Sequence, residues 1–209
     1  MVADNLNRID QWLAEHAPRI AEFSLEPGAV EEQLDGLEKV IGKKLPGDFR
    51  ELYLTHNGMN DAENLGNFFY SFQFYSIAEI IDDYHFVSKQ TEAGESLKKA
   101  DEEIDATKYP NPDWLCIGFD GAHTGLRVDL APATTGTYGQ VIFVDSEYEV
   151  AFVVAKSVAE LLANFADDLE NGLYALNEEA LEDGNHHLET DKSIDIINWR
   201  FIEKYARFK

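Results

Sequence analysis

The chain has 209 residues and contains 17 lysines and arginines against 40 aspartates and glutamates, a net charge of −23. Because nucleic acids and anionic membranes are bound by basic side chains that neutralise phosphates, this charge disfavours both partners and favours a basic protein. The length fits one domain with an extension, and the hydrophobic fraction of 44% indicates a globular chain.

The first part of the chain is predicted to be helical. Apolar residues recur at helical spacing over 9–20, 30–41 and 45–53. Gly42 follows the second segment as a helix-ending residue, and Asn57-Gly58 ends the third. These patterns predict three amphipathic helices before the first strand.

An alternating aromatic run over 68–74 predicts a strand. Ser76 and Glu79 then have the spacing of a capping box, which predicts the start of another helix. The polar stretch 89–105 either extends that helix or forms a loop.

Short apolar segments dominate the second half of the chain. Those at 114–119, 126–130, 141–144 and 150–154 predict strands, and their short connections favour an antiparallel sheet. A helix starts at a second capping box, at Ser157. The sequence therefore predicts an α+β domain over residues 1–172 and an acidic extension over residues 173–209, which ends in an amphipathic helix at 194–208.

Patterns typical of catalysis or metal binding are weak. Cys116 lies within an apolar strand pattern, where a thiol is usually inert. The adjacent His186 and His187 lack the spaced ligands of a zinc site, and the loop 120–125 is typical of a hairpin turn. The sequence predicts a non-enzyme without cofactor or metal, although abundant carboxylates leave a carboxylate-based enzyme as an alternative.

The cellular location is predicted from what the sequence lacks. Cys116 is the only cysteine, which favours a reducing compartment. The first residues lack the basic and apolar regions of a secretory signal, and no apolar run approaches the ~20 residues of a membrane-spanning helix. We therefore expect a cytoplasmic protein with no membrane partner.

Several short phrases occur in a familiar order along the chain. They are IG at 41–42, LPGDFR at 45–50, HNG at 56–58, WLCIGFDG at 114–121 and LRVDLAP at 126–132. Together they resemble the SUKH family, which includes yeast cell-wall synthesis regulators and bacterial immunity proteins. The resemblance spans roughly residues 12–172. It implies an α+β fold, with a twisted, mainly antiparallel sheet flanked by helices, and a binding role without catalysis.

The resemblance and the charge together predict an immunity protein that neutralises a cognate toxin, with a basic toxin domain such as a nuclease as its partner. A regulatory scaffold in a signalling or cell-wall synthesis complex is the alternative. Candidate contact residues lie on loops near strand ends: Asn57, Asp120, His123, Tyr138, Asp145, Tyr148 and Glu149. For Asn57 and Asp120, turn geometry is a competing explanation.

Overall fold

The computed structural model describes residues 2–90 and 96–209, in which helices flank a central sheet. The helices are α1 (Val2–His16), α2 (Glu31–Ile41), α3 (Gly47–Thr55), α4 (Ile77–Ser88), α5 (Val158–Glu170) and α6 (Glu178–Glu182). The strands are β1 (Leu25–Pro27), β2 (His56–Met59), β3 (Gln73–Phe74), β4 (Lys99–Ala100), β5 (Trp114–Phe119), β6 (Thr124–Asp129), β7 (Gln140–Asp145), β8 (Val150–Ala155), β9 (Tyr174–Leu176) and β10 (Leu188–Thr190). Shorter turns are π-helical at Ile20–Ser24 and 3-10 at Phe69–Ser71, Ile196–Phe201 and Glu203–Phe208.

The central sheet has six strands in the order β3-β5-β6-β7-β8-β4. Its neighbouring strands are antiparallel, except that β4 runs parallel to β8 at one edge. Strands β5 to β8 follow one another directly in sequence and in space, as expected for antiparallel neighbours joined by turns. The predicted α+β fold with a mainly antiparallel sheet is confirmed.

The two faces of the sheet are buried by different parts of the chain. On one face, Phe143 stacks on Phe152 with ring centroids 4.6 Å apart, within the same core as Leu13 of α1 and Phe165 of α5. On the other face, a smaller cluster joins Trp114, Ile142 and Val144 to Leu97 and Ile104. Because side chains alternate along a strand, β7 contributes to both clusters.

The predicted end of α2 and start of α4 agree with the structure, whereas α1 spans Val2–His16 rather than 9–20, and α3 ends at Thr55 before Asn57-Gly58, which lies in β2. Gly42 has a φ of 69°, in the left-handed region that favours glycine at a helix end, and it follows α2 directly. At the start of α4, the backbone N–H of Ser76 donates to the Glu79 carboxylate over 2.7 Å, and the N–H of Glu79 donates back to the Ser76 hydroxyl. The predicted capping box is confirmed.

The strand predicted over 68–74 is wrong for most of its length. Phe69–Ser71 forms a 3-10 turn in which Tyr70 and Ser71 have φ values of 48° and 68°, and only Gln73–Phe74 pairs with the sheet. The aromatic residues instead pack ring against ring around this turn, with Phe68 and Phe165 4.9 Å apart. Alternating aromatic residues therefore reflected a core cluster rather than a pleated strand.

The helix predicted over 194–208 is replaced by two 3-10 turns separated at Ile202, whose backbone is extended. These turns still add to the main core, because Trp199 and Tyr205 are 2% and 4% exposed and Tyr205 stacks on Phe152 at 4.1 Å.

The domain boundary at residue 172 stays a prediction. Within the polar stretch 89–105, residues 91–95 lie outside the described residues, and α4 ends at Ser88.

Buried asparagines hold the segment around His186 and His187 against the loop at 64–67. Asn67 accepts from the backbone N–H of Leu188 over 2.6 Å and donates to its carbonyl oxygen over 2.7 Å. This exchange fixes the orientation of the Asn67 amide, so its Nδ2 donates to Nε2 of His187 over 2.8 Å. The His187 ring is therefore neutral, and burial lowers its pKa.

We expect His187→Gln to flatten the pH dependence of stability below about pH 6.5, the ordinary pKa of histidine. Because the folded pKa of His187 is lowered, its favourable contribution is complete above the unfolded pKa and is lost as the pH falls. Urea unfolding of both proteins between about pH 8 and pH 5 measures the difference. His123→Gln, which removes an exposed histidine, is the control. Parallel curves for wild type and His187→Gln contradict this assignment.

Candidate protein-binding surface

Most of the predicted contact residues lie together at one end of the central sheet. The β5–β6 turn carries Asp120 and His123, and the β7–β8 turn carries Tyr148 and Glu149. These turns are neighbours because β6 pairs with β7, and the N–H of Ser146 donates to the carbonyl oxygen of His123 over 2.9 Å. We call the two turns, residues 120–123 and 146–149, the hairpin end.

Two aspartates, Asp120 in the hairpin end and Asp145 at the last position of β7, hold the two turns in place. The carboxylate of Asp120 accepts from the backbone N–H groups of Ala122 and Thr124, and from the Thr124 hydroxyl over 2.6 Å. The carboxylate of Asp145 is 2% exposed and accepts from the N–H of Tyr148 over 3.0 Å and from the indole N–H of Trp199 over 2.8 Å. Both groups therefore organise loop structure, and a contact with a partner stays a prediction for each.

The other predicted residues of the hairpin end are exposed, in the case of His123, or partly buried, in the case of Tyr148 and Glu149. Nε2 of His123 lies 3.1 Å from the Glu147 carboxylate, and the His123 side chain is 43% exposed. Glu149 forms an ion pair with Lys98 at 2.6 Å. Tyr148 accepts a hydrogen bond from Arg200 over 2.6 Å, and the guanidinium lies 4.4 Å above the Tyr148 ring. The hairpin end thus presents polar and aromatic groups of the kinds found in protein interfaces.

The structure places the remaining two candidates elsewhere. Tyr138 belongs to the β6–β7 loop at the opposite end of the sheet, where its hydroxyl donates to the carbonyl oxygen of Lys44 over 2.6 Å. Asn57 accepts from the N–H of Ile77 over 3.0 Å and so satisfies one of the free donors at the start of α4. The seven predicted residues therefore do not form one surface.

A cleft of about 400 Å³ lies beside the hairpin end. It is lined by Lys98, Lys99, Tyr148, Val150, Trp199, Arg200, Phe201, Phe208 and Lys209, and we call it the basic cleft. The described residues that line it include four lysines or arginines and no aspartate or glutamate, although acidic residues outnumber basic ones 40 to 17 in the chain. The composition of the cleft is therefore opposite to that of the whole protein.

The wall of the basic cleft is built by contacts between the β7–β8 turn and the turn Ile196–Phe201. Trp199 is anchored by Asp145 and packs edge-on against Tyr148 at 6.0 Å. This anchoring directs the next residues, Arg200 and Phe201, to the surface, where Phe201 is 88% exposed.

Sequence reasoning did not predict this cleft, because its walls come from distant parts of the chain. The sequence feature that could have indicated the cleft was an aromatic residue among basic residues near the end of an otherwise acidic chain.

A second cavity, of about 230 Å³, lies between α4 and the residues around Tyr109. At its base Arg127 donates to the Asp83 carboxylate over 2.9 Å and to the carbonyl oxygen of Trp114 over 3.1 Å. Burial raises the pKa of the neighbouring Cys116 thiol to about 11. Cys116 is thus a neutral thiol at physiological pH, and neutral thiols are poor nucleophiles.

The described residues lack two features, a cluster of metal-binding side chains and a membrane-spanning helix. Across 2–90 and 96–209, His, Cys, Asp and Glu side chains nowhere form a group of three or more that could hold a metal ion. In the same residues, no helix combines the length and the apolar character needed to cross a membrane.

The model of the SMI1/KNR4 family (SUKH-1) matches residues 28–164, which is more than half of the chain. The chain belongs to the SMI1/KNR4 family. The matched region contains the hairpin end together with Lys98 and Lys99, whereas Trp199 and Arg200 lie beyond it. The predicted membership of the SUKH family is confirmed.

Three fungal relatives in the SMI1/KNR4 family are similar to most of this chain. The glucan synthesis regulatory protein of Neurospora crassa is 25% identical over 99% of this chain and 46% of its own length. The cell wall biosynthesis/cell cycle regulator smi1 of Schizosaccharomyces pombe is 27% identical over 85% of this chain and 38% of its own. The cell wall assembly regulator SMI1 of Saccharomyces cerevisiae is 24% identical over 80% and 40%. The chain thus spans less than half the length of these relatives.

The names of these SMI1/KNR4 proteins bear on the functional alternatives. All three are named as regulators of glucan or cell-wall synthesis rather than as enzymes or immunity proteins. They favour the regulatory alternative over toxin neutralisation, and they favour a non-enzyme.

Proposed function

We propose that this chain is a non-catalytic, protein-binding module of a regulator of cell-wall glucan synthesis. The observation that carries the proposal is the similarity over 99% of the chain to a protein named as a glucan synthesis regulator. The proposed place of action is the cytoplasm, and the proposed partners are proteins of the synthesis or signalling machinery. Toxin neutralisation is the less well supported alternative, because the three relatives are named as regulators of glucan or cell-wall synthesis.

The hairpin end and the adjoining basic cleft are the surface we propose for partner binding. Tyr148, Arg200 and Phe201 lie side by side there, and aromatic residues and arginine are enriched at the centres of protein interfaces. The candidates His123 and Glu149 form part of the polar rim in this proposal. Tyr138 and Asn57 lie outside this surface.

A chimeric fission yeast protein tests the proposed function. The region of S. pombe smi1 that this chain matches is replaced by the chain, and the chimera is expressed in cells that lack smi1. Cell-wall glucan content is compared with that of cells carrying the unchanged protein, and we expect the chimera to restore it. A version lacking the matched region is the control. Glucan content no higher than that of the control contradicts the proposal.

A further inference from the structure

We infer that the basic cleft binds an acidic peptide segment of a partner protein, with an apolar side chain of that segment packed against Phe201. This inference rests on the proposed function as a protein-binding module and names the chemistry of the partner. It follows from the charge of the cleft, the exposed Phe201 at its margin and its rigid wall.

The charge of the basic cleft is only partly neutralised by the chain itself. Lys98 is paired with Glu149, but Arg200 donates to the neutral hydroxyl of Tyr148 and, among the described residues, has no carboxylate partner. Lys99 donates to a main-chain oxygen of Lys209, so the charge that a partner would neutralise is chiefly that of Arg200. A guanidinium held over an aromatic ring keeps its charge and its remaining N–H donors, which match the two oxygens of a carboxylate.

The apolar surface that the cleft offers to a partner is mainly that of Phe201. The floor is formed by Val150, Phe208 and Trp199, which are 2–5% exposed, whereas Phe201 at the margin is 88% exposed. An exposed phenylalanine beside further aromatic residues favours burial against an apolar side chain of a partner. An acidic segment without such a side chain would leave Phe201 in water, so we expect tight binding to need both the carboxylates and the apolar side chain.

The wall of the cleft is formed before any partner arrives. The indole N–H of Trp199 is held by the buried Asp145 carboxylate, and beneath the cleft Tyr205 stacks on Phe152 while Phe208 packs against Phe152 at a tilt. A site that is already ordered loses less conformational entropy on binding than a flexible one. The cleft volume of about 400 Å³ is in the range of sites that enclose a few side chains.

A nucleic acid fits this surface less well than a short acidic peptide does. A polynucleotide carries charge along its whole length and would extend beyond the cleft over a chain with a net charge of −23. Exposed Glu147 and Glu203 lie on the segments that border the cleft. A peptide can confine its few carboxylates to the cleft and avoid this repulsion.

Fluorescence anisotropy with the labelled peptide EDEFEDE tests the inference on the full chain. We expect saturable binding below about 1 mM and a loss of about tenfold or more in affinity for Arg200→Glu. Lys156→Glu makes the same change in net charge at an exposed site outside the cleft and should leave the affinity within about twofold. The peptide EDEAEDE, which lacks the apolar anchor, should also bind at least about tenfold more weakly.

The inference is overturned if EDEFEDE does not bind, if Arg200→Glu and Lys156→Glu bind it equally, or if EDEAEDE binds as well as EDEFEDE. Tighter, Arg200-dependent binding of a single-stranded oligothymidylate would overturn it in favour of nucleic acid. In the fission yeast chimera, Arg200→Glu should lower glucan content. Full restoration by that variant counts against the inference and leaves the proposed function standing, whereas failure of the unchanged chimera counts against the function itself.

Discussion

Replacing Asp145 with alanine is expected to lower the free energy of unfolding by about 3–5 kcal/mol, because buried N–H donors would lose their acceptor. The carboxylate is 2% exposed and accepts from the backbone N–H groups of Glu147 and Tyr148 and from the Trp199 indole. We also expect faster amide hydrogen exchange in Ile196–Phe201, since the indole bond joins this turn to the sheet. Urea unfolding and hydrogen exchange measure the two effects.

Two variants serve as controls for Asp145→Ala. Asp145→Asn keeps one acceptor oxygen, so we expect a loss of about 1–2 kcal/mol. Asp120→Ala removes a comparable turn carboxylate that is only partly buried and does not contact the turn Ile196–Phe201, so hydrogen exchange in that turn should not change. Equal losses of stability for Asp145→Ala and Asp120→Ala would show that the buried carboxylate does not join the two segments.

Gly58→Ala is expected to lower the free energy of unfolding by about 2–5 kcal/mol, the sum of backbone strain and overpacking. Gly58 has a φ of 83°, and a Cβ there would lie 2.3 Å from the backbone nitrogen of Ser76 at the start of α4. The backbone must therefore move, and the hydrogen bond from the N–H of Ile77 to the side chain of Asn57 is strained with it. Chemical denaturation followed by circular dichroism gives the change in stability.

Gly42→Ala is the matched control for Gly58→Ala. Gly42 also has a positive φ, of 69°, but a Cβ there would meet nothing within 4 Å. Only the conformational cost of about 1–2 kcal/mol is therefore expected. If the two alanine variants lose equal stability, the close approach of Gly58 to Ser76 is not what requires glycine at that position.

Local patterns in the sequence were sufficient where a feature depends on neighbouring residues. The glycine after α2 and the capping box at Ser76 were predicted correctly, since each involves residues within one helical turn. The strands β5 to β8 were also predicted correctly, because each is a short apolar run bounded by turn residues. In contrast, the aromatic run at 68–74 was assigned to a strand because alternation alone does not distinguish a pleat from a cluster around a turn.

The candidate surface was predicted only in part, and for a related reason. The turns that carry Asp120, His123, Tyr148 and Glu149 could be located from turn residues, and antiparallel pairing then brings them to the same end of the sheet. Nothing in the local sequence indicated that Asp145 faces inward to bind a tryptophan more than fifty residues later.

The sequence by itself determined the family, the α+β class, the antiparallel order of β5 to β8 and the overall negative charge. These depend on residue type, periodicity and short spacings. Only the tertiary structure decided that Asp145 anchors Trp199, that Lys98 and Arg200 share one cleft, and that this cleft is basic within an acidic chain. Such features depend on side chains that are distant in sequence and adjacent in space, and that adjacency is set by how the whole core packs.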